Sequence, residues 1–167
     1  LHALARRFAN LDNYYVPIEV SLQGHQWLTT VMNNDFFEKT MPVVQDSDGT
    51  RSMAGYVTSD IGVPESGFIW TYLEDNGVDF INYGEGVGVP QVGLHILDQD
   101  FPGILYNMGE LDVNKAAYVS MRIVEEGFMP TFTYLLLPNN HTYGGSPGKP
   151  TPESMVACEG RVSGTCV

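Results

Sequence analysis

The stretch "PESGFIWTYLEDNGVDFINYGE" (residues 64–85) predicts a helix, a glycine turn and a strand in succession. Pro64 and Glu65 suit the first turn of a helix, and Asn76-Gly77 is a pair that ends one. "VDFINY" (78–83) then has the composition of a strand. Because a helix joined to a strand by a glycine turn is half of a βαβ unit, this stretch predicts a parallel sheet. Four apolar residues at helical spacing are expected to face the core: Phe68, Ile69, Tyr72 and Leu73.

The same order of elements recurs downstream. "NKAAYVSMRIVEEG" (114–127) predicts an amphipathic helix that ends at Gly127. "TFTYLLL" (131–137) predicts a strand that is buried on both faces, as in a parallel sheet. Residues 84–110 are dense in glycine and predict an irregular insertion between the two units. Strands that alternate with helices indicate an α/β fold with a mainly parallel sheet flanked by helices.

Upstream of residue 64 the pattern is similar but less regular. Residues 1–9 predict a short helix, and "NYYVPIEV" (13–20) predicts a strand that Pro17 interrupts or ends. A helix is expected from Ser21 to Pro42, and residues 43–63 predict a second irregular insertion. The helix from Ser21 is expected to bury one broad apolar face: Trp27, Leu28, Val31, Met32 and Phe36.

The C-terminal stretch begins a helix that it does not complete. "TPESMVA" (151–157) combines Thr151 as an N-cap with proline and glutamate in the first turn. Residues 158–167 then have two glycines and no apolar stripe, so we expect a poorly packed tail in which Cys158 and Cys166 form no structural disulfide. The N-terminal helix likewise lacks a start. We therefore expect a domain that is truncated at both ends.

Composition restricts the classes of function. A chain of 167 residues with 43% hydrophobic and 17% charged residues suits one globular domain with a substantial core. A net charge of −12 argues against binding to nucleic acid, which requires a basic surface. No apolar run approaches the roughly 20 residues of a membrane-spanning helix. Two cysteines and four scattered histidines do not have the spacing of a structural zinc site.

Ser21 and His25 are the first candidate site residues. In "EVSLQGHQW" (19–27), Ser21 lies at a predicted strand-to-helix junction, and His25 follows one helical turn later. Ser21 is either the cap of the helix or a reactive hydroxyl at the positive end of the helix, where phosphate groups also bind. Ser21 does not lie in the G-x-S-x-G pattern of carboxylesterases, because no glycine stands two places before it.

His141 is the third candidate, in the loop "PNNHTYGG" (138–145) that follows the predicted strand 131–137. Ligands of parallel sheets bind beyond the carboxyl ends of the strands. Because Ser21 and His141 both follow predicted strands, we expect them to converge at that edge; alternatively, His141 is a loop residue that bonds to neighbouring backbone. "GEGVGV" (84–89) lacks the G-x-G-x-x-G spacing and is interpreted as a turn-rich loop.

Three blocks carry a resemblance to a known family: "ALARRFANLDNYYVPIEVSLQGHQW" (3–27), "WTYLEDNGVDFINYGE" (70–85) and "LPNNHTYGGSPGKPTPESMVA" (137–157). In that order they resemble the phosphoesterase family of the alkaline phosphatase superfamily, a group similar to bacterial phospholipases C and acid phosphatases. The resemblance implies a partial phosphoesterase domain over residues 1–157, with an α/β/α sandwich fold, followed by a divergent tail. It also implies a periplasmic or extracellular hydrolase that often follows a β-propeller, acting on a small phosphate ester or a phospholipid.

The resemblance implies a role for each matching residue. Ser21 matches the nucleophile that accepts the phosphoryl group and touches a divalent metal ion. His141 and His25 match catalytic positions, and Asn140 and Thr142 match substrate-binding positions, although family members often have aspartate where Asn140 stands. The family's acidic metal ligands fall outside this chain.

We therefore expect an incomplete piece of a metal-dependent phosphate-ester hydrolase that is inactive or weakly active on its own. One alternative is a non-catalytic binding module that retains the fold. Another is a metal-free serine hydrolase, which requires an acid–histidine pair beside Ser21.

Overall fold

The computed structural model describes residues 2–16, 18, 20–40, 60–139 and 141. The predictions for Asn140, Thr142, residues 43–59, the helix at 151–157 and the tail lie outside these residues. The described helices are α1 (His2–Arg7), α2 (Ser21–Thr30), α3 (Asp35–Thr40), α4 (Ile69–Asp75), α5 (Val89–Val92) and α6 (Asp112–Glu126), with 3₁₀ turns at Asp60–Gly62 and Leu94–Ile96; the strands are β1 (Phe80–Tyr83) and β2 (Phe132–Leu135). The chain is thus a mixed α/β structure.

The two strands form a parallel pair, as the alternating pattern predicted. Phe80 lies opposite Phe132 and Tyr83 opposite Leu135. The expected burial of the second strand on both faces is wrong, since β2 is only half-buried and Leu135 is exposed. In the described part of the chain only β1 pairs with β2, so part of this strand remains accessible.

The main hydrophobic cluster surrounds Trp70 of α4, which is fully buried. Its indole N–H donates to the carbonyl of Val87 at 2.9 Å, and its ring stacks on Phe80 of β1. The helix begins at Ile69, later than the predicted start near Pro64. Trp70 is buried in this helix, whereas Tyr72, which the sequence pattern assigned to the core, is exposed.

A second cluster packs α6 against the other end of β1. Tyr83, Phe101 and Val119 are its buried members, and the rings of Tyr83 and Phe101 lie 5.3 Å apart. The helix ends at Gly127 in a left-handed conformation, with φ of 73°, as the sequence predicted. These contacts hold α6 beside the strand that leads into the candidate site.

The apolar face predicted for α2 is wrong. The residues expected to face the core are exposed: Trp27, Leu28, Val31, Met32 and Phe36. The buried face is polar, and hydrogen bonds compensate its burial: the Gln26 amide donates to the carbonyl of Gly62 at 2.6 Å, and Gln23 donates to the Glu38 carboxylate at 3.2 Å. Hydrophobic periodicity therefore selects the wrong side of this helix.

The predicted single helix from Ser21 to Pro42 is divided into α2 and α3. Val31 has a left-handed φ of 69° and ends α2, and the Asn34 side chain accepts the N–H of Phe37 at the start of α3. The strand predicted at 13–20 is also wrong, because its described residues pair with no strand and residues 14–16 are exposed. Of the helices described, none is long and apolar enough to span a membrane.

Candidate functional site

A cleft of about 280 Å³ lies where the start of α2 meets the loops that follow β1 and β2. Ser21 and His25 line it from α2, Glu85 from the loop after β1, and His141 from the loop after β2. Its apolar walls include Leu22, Val87, Pro90 and Leu105, and Tyr106 completes the polar and aromatic lining. The serine and the two histidines predicted as site residues from the sequence therefore line one cleft, although Ser21 does not follow a strand.

Ser21 is the first residue of α2 and does not act as its cap. The N-cap position is Val20, and no side-chain cap hydrogen bond is formed there. The backbone N–H of Val20 instead donates to the side chain of Gln23 at 3.2 Å. Ser21 is exposed at the positive end of a ten-residue helix, a location that favours anionic ligands. The structure therefore does not support the interpretation of Ser21 as the helix cap.

His25 forms a short hydrogen bond with a buried carboxylate. Its Nδ1 lies 2.6 Å from Oε2 of Glu85, whose side chain is only 2% exposed, whereas that of His25 is 21% exposed. The hydrogen bond and the negative charge of Glu85 raise the pKa of His25, and partial burial offsets part of that rise. Since Nδ1 faces Glu85, Nε2 is the ring nitrogen available to a ligand.

Glu85 is held rigidly by the end of β1. Its Oε1 accepts the N–H of Val87 at 2.9 Å, and its backbone N–H donates to the buried Asn82 side chain at 2.9 Å. Burial, together with the charge of Glu85 and a hydrogen bond to it, raises the pKa of Tyr134. Glu85 was not predicted as a site residue, because the pattern "GEGVGV" indicated only a turn-rich loop. The available signal was an acidic residue directly after a parallel strand.

The loop that carries His141 is anchored to the start of α6. Asn139 and Asp112, both buried, exchange two hydrogen bonds: the Asp112 N–H donates to the Asn139 side chain at 2.6 Å, and the Asn139 N–H donates to the Asp112 carboxylate at 2.9 Å. Lys115, also fully buried, pairs with Asp112 at 2.9 Å. The N–H of His141 donates to the carbonyl of Pro138 at 2.9 Å. The fold thus fixes the position of the His141 backbone.

Tyr106 contacts both imidazoles of the cleft. Its ring lies edge-on to His25 at 5.9 Å and to His141 at 5.7 Å between ring centroids. Tyr106 was not among the residues singled out from the sequence, because a lone tyrosine in an irregular loop carries no recognisable motif.

The divalent metal implied by the resemblance finds no ligand set among the described residues. No group of three or more His, Cys, Asp or Glu side chains there is arranged to hold a metal ion. His25 and Glu85 are also engaged with each other. These residues alone therefore do not fit a metal centre, and the chemistry open to them is that of a hydroxyl and an acid–histidine pair.

Comparisons of this chain with protein-family models, curated proteins and solved structures found no match.

Proposed function

We propose that this chain carries the nucleophile-bearing part of a phosphate-ester hydrolase, built on an alkaline phosphatase-like α/β/α sandwich. The observation that carries the proposal is the placement of Ser21 at the start of α2, in one cleft with the His25–Glu85 pair and His141. A hydroxyl that caps nothing, at the positive end of a helix, suits attack on an anionic phosphate. The resemblance of the surrounding sequence to phosphoesterases supports the same assignment.

The proposed chemistry begins with attack of the Ser21 oxygen on phosphorus, while the bond to the leaving oxygen breaks. Neutral His25 accepts the Ser21 proton at Nε2 and donates it to the leaving oxygen, and the buried carboxylate of Glu85 stabilises the imidazolium form between these two transfers. N–H groups in the first turn of α2 bind phosphoryl oxygens, and His141 contacts the substrate from the opposite loop. Water then attacks the phosphoserine and releases phosphate. The apolar walls of the cleft accommodate the organic part of the ester.

A second candidate function is hydrolysis of carboxylic esters without a metal. The observation in its favour is the His25–Glu85 hydrogen bond of 2.6 Å, one helical turn after Ser21. This is the acid–histidine pair that a serine hydrolase requires. It ranks second because the sequence around Ser21 resembles that of phosphoesterases and lacks the G-x-S-x-G pattern of carboxylesterases.

Hydrolysis of an aryl phosphate and of an aryl acetate, each with and without added divalent metal, tests both candidates. We expect weak hydrolysis of the phosphate, which Ser21→Ala lowers at least about 100-fold. The matched control is Ser120→Ala on α6, an exposed serine whose hydroxyl donates to the carbonyl of Ala116; it should retain full activity. Aryl phosphate hydrolysis that is insensitive to Ser21→Ala would remove Ser21 as the nucleophile.

The same assay separates the alternatives. Ser21-dependent hydrolysis of the acetate alone would favour the serine esterase. If neither ester is hydrolysed in a Ser21-dependent way, but orthovanadate shifts the amide resonances at the start of α2, the cleft is a binding site of a non-catalytic module.

A further inference from the structure

Tyr106 lies between the two histidines of the cleft and belongs to neither the nucleophile nor the acid–base pair. Its edge-on contacts with His25 and His141 span the cleft from α2 to the loop after β2. Aromatic rings in this arrangement attract one another through their quadrupoles. The ring therefore fixes two groups that come from distant parts of the chain.

The backbone that presents Tyr106 adopts an uncommon conformation. Leu105 and Tyr106 are consecutive residues with positive φ, 51° and 64°, although neither is a glycine. Side chains with a Cβ rarely occupy this region, and residues held there cluster at functional sites. Both residues line the cleft.

Surrounding contacts enforce this conformation. The N–H of Tyr106 donates to the carbonyl of Gly84 at 3.2 Å, directly after β1. The Asn107 side chain donates to the carbonyl of Pro102 at 2.9 Å. Gly84 itself has φ of 103°, and a Cβ there would lie 2.8 Å from the carbonyl oxygen of Gly103. The loop is thus tied by a hydrogen bond to the residue after β1 and packs closely against it.

We propose that Tyr106 is a positioning residue whose ring sets the placement of His25 against Glu85 and of His141 across the cleft. The inference rests on the proposed function only for its catalytic consequence. The ring keeps His25 from rotating away from the carboxylate and keeps the two imidazoles on opposite sides of the bound phosphate. The Tyr106 hydroxyl stays protonated, because burial and the negative charges of Glu85 and Asp112 raise its pKa.

Nuclear magnetic resonance of the imidazole Cε1–H groups tests the placement without any substrate. Signals are assigned with His25→Gln and His141→Gln, and each is followed through a pH titration. Tyr106→Leu should shift the His141 signal and lower the titration midpoint of His25 toward its ordinary value. Tyr106→Phe keeps the ring and should reproduce the wild-type titration. Tyr72→Leu, at an exposed tyrosine of α4, is the control and should change neither signal.

Two outcomes would overturn the proposal. One is a wild-type titration of His25 and an unmoved His141 signal in Tyr106→Leu. The other is an equal effect of Tyr106→Phe, which would assign the role to the hydroxyl. If Tyr106→Leu does not fold, Tyr106→Asn replaces it, because asparagine tolerates a left-handed backbone.

Activity provides a second readout. Where Ser21-dependent hydrolysis is measured, Tyr106→Leu should lower kcat on the order of 10- to 100-fold with a smaller change in KM, because misplaced groups impair the chemical step. An unchanged kcat would contradict the catalytic consequence. Aryl phosphate hydrolysis that does not depend on Ser21 would refute the proposed function, whereas the resonance test of Tyr106 would remain valid.

Discussion

At the scale of single residues, the charge of His25 is coupled to Glu85. The pKa of His25 is raised in the folded state, so the pair stabilises the fold fully below the unfolded pKa, about 6.5. That contribution is lost as the pH rises through the folded pKa. Glu85→Gln replaces the charged hydrogen-bond acceptor that raises the pKa of His25, so the unfolding free energy of this variant should change less with pH in the same window. Urea unfolding between pH 5 and pH 9 measures the difference.

Glu65→Gln is the matched control for this prediction, because Glu65 is exposed. The unfolding free energy of Glu65→Gln should depend on pH in the same way as that of the wild type. If Glu85→Gln also follows the wild type above pH 6.5, the carboxylate does not control the proton on His25, and the proposed role of the pair as the proton carrier fails.

Residue-level prediction succeeded where a reactive type stood in a recognisable position. Ser21, His25 and His141 were found from the sequence, and all three line the cleft. Glu85 and Tyr106 were not found from the sequence, because each depends on a partner that is distant along the chain. Glu85 pairs with His25, 60 positions away, and Tyr106 contacts His141, 35 positions away. Pairings of this kind depend on how the elements pack, which periodicity along the chain does not specify.

At the scale of elements, the start of α6 rests on a buried ion pair. Lys115 and Asp112 are 0% and 1% exposed, and the same carboxylate holds the loop before His141. Lys115→Met leaves the Asp112 charge buried without its cation. We expect the unfolding free energy to fall by about 3–5 kcal/mol, the usual cost of removing one partner of a buried pair. Urea unfolding at neutral pH measures this change.

Lys39→Met is the control for the buried pair. Lys39 binds Asp35 at a similar distance, 2.7 Å, but the two side chains are 73% and 79% exposed. Loss of this ion pair should lower the unfolding free energy by less than about 0.5 kcal/mol, because water screens an exposed pair. Equal effects of the two lysine substitutions would show that burial does not strengthen the α6 pair and that Asp112 does not depend on Lys115.

Helix and strand predictions differed in quality for physical reasons. The helix that became α6 was found because its periodicity is long and Gly127 supplies the left-handed end. The helix that became α2 was found, but with the wrong face inside, because glutamine and threonine side chains there satisfy their hydrogen bonds within the fold. The strand at 13–20 failed because β propensity alone provides no pairing partner.

At the scale of the whole molecule, the described core is centred on Trp70, while the described residues before α2 contribute little to it. Residues 5–16 are exposed throughout, including large apolar side chains such as Phe8 and Tyr15. Trp70, by contrast, joins α4 to both strands, with its ring 5.9 Å from that of Phe80 and 6.3 Å from that of Phe132. Stability and the shape of the cleft should therefore depend on the same tryptophan.

The two tryptophans of the chain lie in contrasting environments, Trp70 in the core and Trp27 at the surface. Trp70→Phe removes the N–H that binds the carbonyl of Val87 and leaves a void in the buried cluster. We expect a loss of about 2–4 kcal/mol of unfolding free energy. Trp27→Phe, at a side chain that is 40% exposed, should cost less than about 0.5 kcal/mol. Urea unfolding measures both, and in Trp27→Phe the remaining fluorescence of Trp70 should resist acrylamide quenching until the protein unfolds.

The effect of Trp70→Phe should also reach the cleft. The N–H of Val87 donates to Oε1 of Glu85, so loss of the indole bond to the Val87 carbonyl should loosen the residue whose N–H holds the carboxylate. The imidazole titration of His25 should then shift toward its ordinary value, even under conditions in which the variant is fully folded. If Trp70→Phe lowers stability as expected but leaves the His25 titration unchanged, the core and the cleft are energetically independent, and the orientation of Glu85 is determined by Asn82 and the end of β1 alone.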